Sequence, residues 1–198
     1  MTEDRGPKTE KRRKPEAGSR TERSTRPSGL RLPASGAFGW IVAAMLAMLI
    51  GAPLRAQESG IDVGKTAPGA KLETLDGKVA DLAQYIGKGP VVMEFWAVWC
   101  PNCKELEPAM LAAQKKYAGK VQFVGVAVSV NESPELVRVY VQKHGLAGVQ
   151  FYDRKGTAID AYDVPATSFV VIIGKTGKVV YTGLGGTQNL DAAIQKAL

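Results

Sequence analysis

The sequence predicts an α/β domain with a mixed central sheet, and three observations carry that prediction. An apolar strand, Val91-Val92-Met93-Glu94-Phe95-Trp96, runs into Cys100-Pro101-Asn102-Cys103 at the head of a helical pattern. Beyond it come strand, helix, strand, helix, strand, strand and helix patterns in turn, the interleaving that builds an α/β sheet. The 198 residues are 45% hydrophobic, enough for one packed core plus appendages.

Residues 1–36 are rich in Lys, Arg, Glu, Ser, Thr, Pro and Gly, with Leu30 and Leu32 as their only large aliphatic side chains. They cannot bury enough surface to offset ordering entropy, so a disordered arm is expected. Ten Lys/Arg against five acids put most of the net charge of +7 here. From Gln57 onward 15 basic residues meet 14 acidic ones, a near balance that offers nucleic acid no footprint. The run Lys11-Arg12-Arg13-Lys14 reads as a nuclear address, a polyanion site or a topogenic charge, and the uncharged segment over 37–54 favours the last.

Residues 37–54 carry no charge and are apolar on every helical face, the mark of a segment that enters lipid. Their length fits a signal-anchor or a cleaved signal peptide. Both give one topology, with the basic arm cytoplasmic and everything after Arg55 across the membrane. Ala56 suits a cleavage site, whereas Leu54 and the long leading arm do not; the first cysteine is Cys100, so no lipid-accepting cysteine precedes the domain. The alternative, a buried core helix, needs another domain around it.

Residues 57–198 form the expected folded domain. Leu72 to Leu82 alternates around Asp76-Gly77, a hairpin signal. The helix from Cys100 to about Tyr117 repeats Leu106, Ala109, Met110, Ala113 and Tyr117 inward, with Pro108 bending it. Val121 to Val128 is too apolar for a one-sided strand and reads as a buried parallel one. Ser133 caps the next helix, Pro134 opens it and Gly145 ends it. Val149–Tyr152 is a short strand and Thr157–Tyr162 a turn of helix. Thr167–Ile173 and Lys178–Thr182 form an antiparallel hairpin across Lys175-Thr176-Gly177, and Leu190–Leu198 closes the chain as a helix with Ile194 and Leu198 inward.

Cys100 and Cys103 are the chain's two cysteines. Such a pair reads as a redox couple, half a metal site or a structural bridge. Zinc needs four ligands, and the single histidine, His144, lies in a distant helix. Haem attachment needs a histidine where Lys104 stands, and so small a ring staples little of the unfolded chain. Redox chemistry is the favoured reading, with no metal and no cofactor beyond the dithiol. Cys100, at the helix start where N–H groups converge, is expected to be the exposed attacking thiolate, and Cys103 the buried resolving thiol. Glu94 is a carboxylate inside an apolar strand. That placement is costly unless the acid is used or hydrogen-bonded, and the alternative is a strand-end glutamate facing solvent. Trp99 is expected to rim a substrate groove, and Trp96 to rim it or pack.

Trp99-Cys100-Pro101-Asn102-Cys103, with Phe95-Trp96-Ala97-Val98 before it, resembles the thioredoxin superfamily, most closely the TlpA/ResA-like thiol-disulfide oxidoreductases of bacterial envelopes. The resemblance spans residues 60–195 and implies a thioredoxin fold: a mixed sheet with helices on both faces, preceded by an N-terminal β-hairpin extension. It implies that Glu94 relays a proton to the resolving cysteine with a raised pKa. Pro101 and Asn102 would tune redox poise and meet substrate, and Val164-Pro165 would be a cis-proline loop presenting backbone to an extended substrate, a trans turn being the alternative. The chain departs from the family at Leu106, where an acid is common, and at Ala166, an extra residue after the proline. The implied activity is reduction of extracytoplasmic protein disulfides, which restores the thiols of apocytochromes or other proteins, with electrons from a membrane thiol transporter. The location implied is the periplasmic side of a bacterial envelope, membrane-anchored or secreted. A thiol peroxidase is the alternative enzyme, although Met93 and Ala97 stand where peroxiredoxins carry proline and threonine. A Cu(I) carrier or holdase is the non-catalytic alternative.

Overall fold

The computed structural model describes residues 60–198 apart from Ala147. The expected arm over 1–36, the apolar segment over 37–54 and the first residues of the expected domain lie outside the described residues. Among those described, no helix is long and apolar enough to cross a membrane.

Among the described residues, seven strands form one mixed sheet. They are β1 (Lys71–Thr74), β2 (Val79–Asp81), β3 (Val91–Trp96), β4 (Gln122–Val128), β5 (Val149–Asp153), β6 (Phe169–Ile173) and β7 (Val179–Leu184), in the spatial order β2-β1-β5-β4-β3-β6-β7. β3 runs parallel to β4 and antiparallel to β6, and β4 runs parallel to β5. The Asp76-Gly77 turn closes the β1–β2 hairpin, with Gly77 at φ +82°, a conformation that suits glycine. β1 also pairs antiparallel with β5, so the predicted N-terminal extension enlarges the main sheet.

Among the described residues, four α-helices, α1 (Pro101–Lys116), α2 (Pro134–His144), α3 (Thr157–Ala161) and α4 (Leu190–Gln195), connect and cover the strands. The pleat sorts β3 between two cores, because successive side chains point to opposite faces. Val92 packs with Leu106, Met110 and Ala113 of α1 and Leu190 and Ile194 of α4. Val91, Met93 and Phe95 pack on the other side with Phe151, Ala158, Tyr162 and Phe169. Fully burying each Val, Leu, Ile, Met or Phe among them stabilises the fold by roughly 1.5–3 kcal/mol.

The capping residues read from α2 are in place. Ser133 Oγ accepts the Leu136 N–H at 3.3 Å, Pro134 opens the helix and Gly145 ends it at φ +64°. For α3, whose N-cap is Gly156, the buried Asp153 supplies the acceptor, taking the N–H groups of Ala158 and Ile159 at 2.9 and 3.0 Å. Two inward assignments are corrected. Ala109 is exposed, because the inner stripe of α1 runs through Leu106, Met110 and Ala113. Leu198 is 39% exposed and Ala197 is buried in its place, because α4 stops at Gln195 and its helical spacing does not carry on.

Candidate active site

β3 delivers the chain to the cysteine pair. Its backbone is fixed on both edges by β4 and β6, so the segment Ala97–Trp99 leaves the sheet at a set position. Cys100 and Cys103 are joined by a disulfide, with Cα atoms 5.3 Å apart. Cys100 is the N-cap of α1, and its Sγ accepts the Cys103 N–H at 3.1 Å. A helix N-terminus favours a thiolate at that sulfur once the bond is reduced.

The expected exposure of Cys100 is corrected. It is 2% exposed against 7% for Cys103, so in this oxidised state both are buried. The cap geometry draws Sγ back over the first helical turn, and Trp96, Ala97, Val128 and Tyr152 complete the surrounding cluster. Pro101 and Asn102, between the cysteines, are exposed on the helix tip.

Trp99 is 44% exposed, and its indole N–H donates to the Val130 carbonyl at 2.7 Å. It forms one wall of an apolar groove of about 400 Å³ with Val128, Val130, Ile159, Val164, Ala166 and Thr167. Val164 therefore joins the groove and Pro165 does not; Pro165 faces solvent. The cis-proline expectation is corrected as well, because no peptide bond among the described residues is cis. The reversal into β6 is made by the buried Ser168 at φ +65°, whose N–H donates to the Phe95 carbonyl at 2.8 Å and whose Oγ donates to the Gly185 carbonyl at 3.1 Å. Trp96 is 4% exposed and serves packing, with its indole N–H donating to Gln150 Oε1 at 3.2 Å.

Glu94 is the one partly buried position in an otherwise buried strand. Its Oε1 is enclosed and has no hydrogen-bond partner among the described residues. Burial, reinforced by the negative charge of Glu107, pushes its carboxyl up to about 8. Glu94 and Cys103 line one small cavity of about 30 Å³, together with Trp96, Glu107, Met110, Tyr140 and Leu146. A protonated Glu94 there can give a proton to a leaving sulfur, and its carboxylate can take one from a thiol.

Sequence reasoning misses Glu107, Tyr140, His144 and Glu132 as site residues. Glu107 stands four residues after Cys103, one helical turn on the same face, so its spacing is readable; Tyr140 and His144 share that spacing on α2. Glu132 carries no such signal. Its Oε2 accepts the Val98 N–H at 2.8 Å across two loops, and burial pushes its carboxyl up to about 7 against the lowering effect of that bond. Among the described residues, no cluster of three or more His, Cys, Asp or Glu is placed to hold a metal ion.

The family model described as Redoxin matches residues 62–197 of this chain. The thioredoxin-like protein YneN of Bacillus subtilis is 32% identical over 148 residues, covering 71% of this chain and 86% of that protein. The thiol-disulfide oxidoreductase ResA of the same organism is 34% identical over 125 residues, covering 63% of this chain and 69% of its own. The solved structure of a thiol:disulfide interchange protein of the thioredoxin family from Chlorobium tepidum superposes with a TM-score of 0.58 at 25% identity, covering 69% of this chain and 97% of that one.

Proposed function

Because the chain belongs to the Redoxin family and is a thiol-disulfide oxidoreductase, we propose that it is a reductase of protein disulfides on the outer side of a bacterial cytoplasmic membrane. The observation that carries the reading is the disulfide at the head of α1 with the carboxyl of Glu94 in the cavity beside Cys103. In the reduced protein the Cys100 thiolate attacks a substrate disulfide and forms a mixed disulfide, releasing one substrate thiolate. Cys103 passes its proton to the Glu94 carboxylate. The resulting thiolate attacks Cys100 Sγ, the bond to substrate breaks, and the electron pair leaves on the second substrate sulfur. The substrate has gained two electrons and the enzyme dithiol is oxidised, as in this structure. A membrane thiol transporter returns the electrons, with Glu94 giving its proton back to Cys103 as that sulfur leaves, and the dithiol is the whole cofactor. The groove beside Trp99 receives the substrate chain, and the apolar segment over 37–54 holds or delivers the domain to the envelope.

The test is trapping. Cys103→Ser is expected to accumulate mixed disulfides with envelope proteins, and Cys100→Ser to accumulate none. Trapping by Cys100→Ser alone would reverse the two roles.

A further inference from the structure

The cavity under Cys103 contains a second carboxylate that the exchange reaction does not itself use. Glu107 sits one turn after Cys103 on α1 and lines the same cavity as Glu94. Its two oxygens are held from α2: Tyr140 O–H donates to Oε2 at 3.1 Å, and His144 Nδ1 lies 3.0 Å from Oε1. Tyr140 and His144 stack with ring centroids 3.8 Å apart, and Tyr140 also packs on Trp96 at 5.6 Å. Glu107 is therefore pinned at both ends. Glu94 Oε1, by contrast, meets no donor among the described residues. Two carboxyl groups in one poorly hydrated space do not both carry charge comfortably. Hydrogen-bond donors favour the charged form where they point, and here the Tyr140 O–H points at Glu107, with His144 Nδ1 beside the other oxygen.

We propose that Glu107, anchored by Tyr140 and His144, is a positioning residue for the exchange reaction: it fixes a negative charge against the Glu94 cavity so that the mobile proton resides on Glu94, beside Cys103. The proposal rests on the reading of Glu94 as the proton carrier for Cys103. The other groups facing Glu94 are Cys103 and Gln114 from α1, Tyr140 from α2, and Gln150 from β5. Glu107 is the one further carboxylate lining these two cavities. The proton balance is simple. Cys103 loses a proton to Glu94 on resolving the mixed disulfide and regains it when the disulfide is reduced, while Glu107 touches no reacting atom.

The experiment uses the reduced full-length chain and 5,5′-dithiobis(2-nitrobenzoate). The first thionitrobenzoate released reports attack by Cys100, and the second reports resolution by Cys103. Resolution should speed up as pH rises through the titration of Glu94. Glu107→Gln is expected to move that limb to lower pH by on the order of half a unit, with the first release unchanged. His144→Phe combined with Tyr140→Phe, which keeps the stacked rings and removes both anchors, is expected to move it the same way. His144→Asn alone, which keeps the Tyr140 anchor and places an amide donor near the Nδ1 position, should leave the wild-type limb in place. A limb that stays put in Glu107→Gln but disappears in Glu94→Gln overturns the proposal and leaves the Glu94 reading standing. A limb that survives Glu94→Gln overturns both.

Discussion

Glu94 is costly to the fold, and the cost depends on pH. Its carboxyl is pushed up to about 8, by burial first and by Glu107 second, from an ordinary carboxylate value of 4.5. Between those values the unfolded chain has released the proton while the folded chain still holds it, so the folded state loses stability as pH rises. The loss is absent below about pH 4.5 and complete above about pH 8. Glu94→Gln fills the same space without a charge, so its unfolding midpoint should match wild type in acid and exceed it increasingly up to pH 8. The gap is worth at most about 1.4 kcal/mol per pH unit. A constant gap across that range would mean that Glu94 stays solvated. This residue is legible in the sequence because it is the single acid in an apolar strand. Glu107 is half legible, its spacing from Cys103 being plain and its anchors being on another helix. Glu132 is illegible, because its bond to Val98 joins two loops that only the folded chain brings together.

The elements show the same division. Strand and helix identities follow from local periodicity and caps, and β3, α1, β4 and α2 sit where those signals place them. Register across the sheet is a tertiary fact. It aligns Glu94 of β3 with Gly125 of β4 and Gly125 with Gln150 of β5, a row that the sequence does not display. Gly125 is needed there for space: a Cβ would collide with Gln150 Oε1 and stand 2.7 Å from its Cδ. The glycine lets the Gln150 amide lie across β4 and accept the Trp96 indole N–H. Gly125→Ala should displace that amide and break the Trp96 bond. The expected cost is about 1–3 kcal/mol, the range for leaving a buried polar group unsatisfied. Tryptophan emission and the urea midpoint would register it together. Gly125→Ala combined with Gln150→Ala relieves the clash, so it should be less destabilising relative to Gln150→Ala than Gly125→Ala is relative to wild type.

At the scale of the whole chain, charge and chemistry are separated along the sequence. The arm over 1–36 holds ten basic residues against five acids, the uncharged stretch over 37–54 comes next, and the nearly neutral remainder contains both cysteines. Positive charge before an apolar segment keeps the preceding residues in the cytoplasm, whether the segment stays as an anchor or is cut. The dithiol is thereby predicted to work outside the cytoplasm, where protein disulfides persist and a reductase has substrates. Cys100 and Cys103 are poor reporters of their own location, being 2% and 7% exposed. Val139 on α2 is 59% exposed, so a Val139→Cys substitution in a Cys100→Ser/Cys103→Ser chain gives one accessible thiol. A membrane-impermeant maleimide should label it in right-side-out preparations that retain the periplasm, and should leave it unlabelled in sealed inside-out vesicles until detergent is added. Labelling of sealed inside-out vesicles before detergent would place the domain in the cytoplasm. The chain would then be a cytoplasmic reductase, with its basic arm free for some other partner.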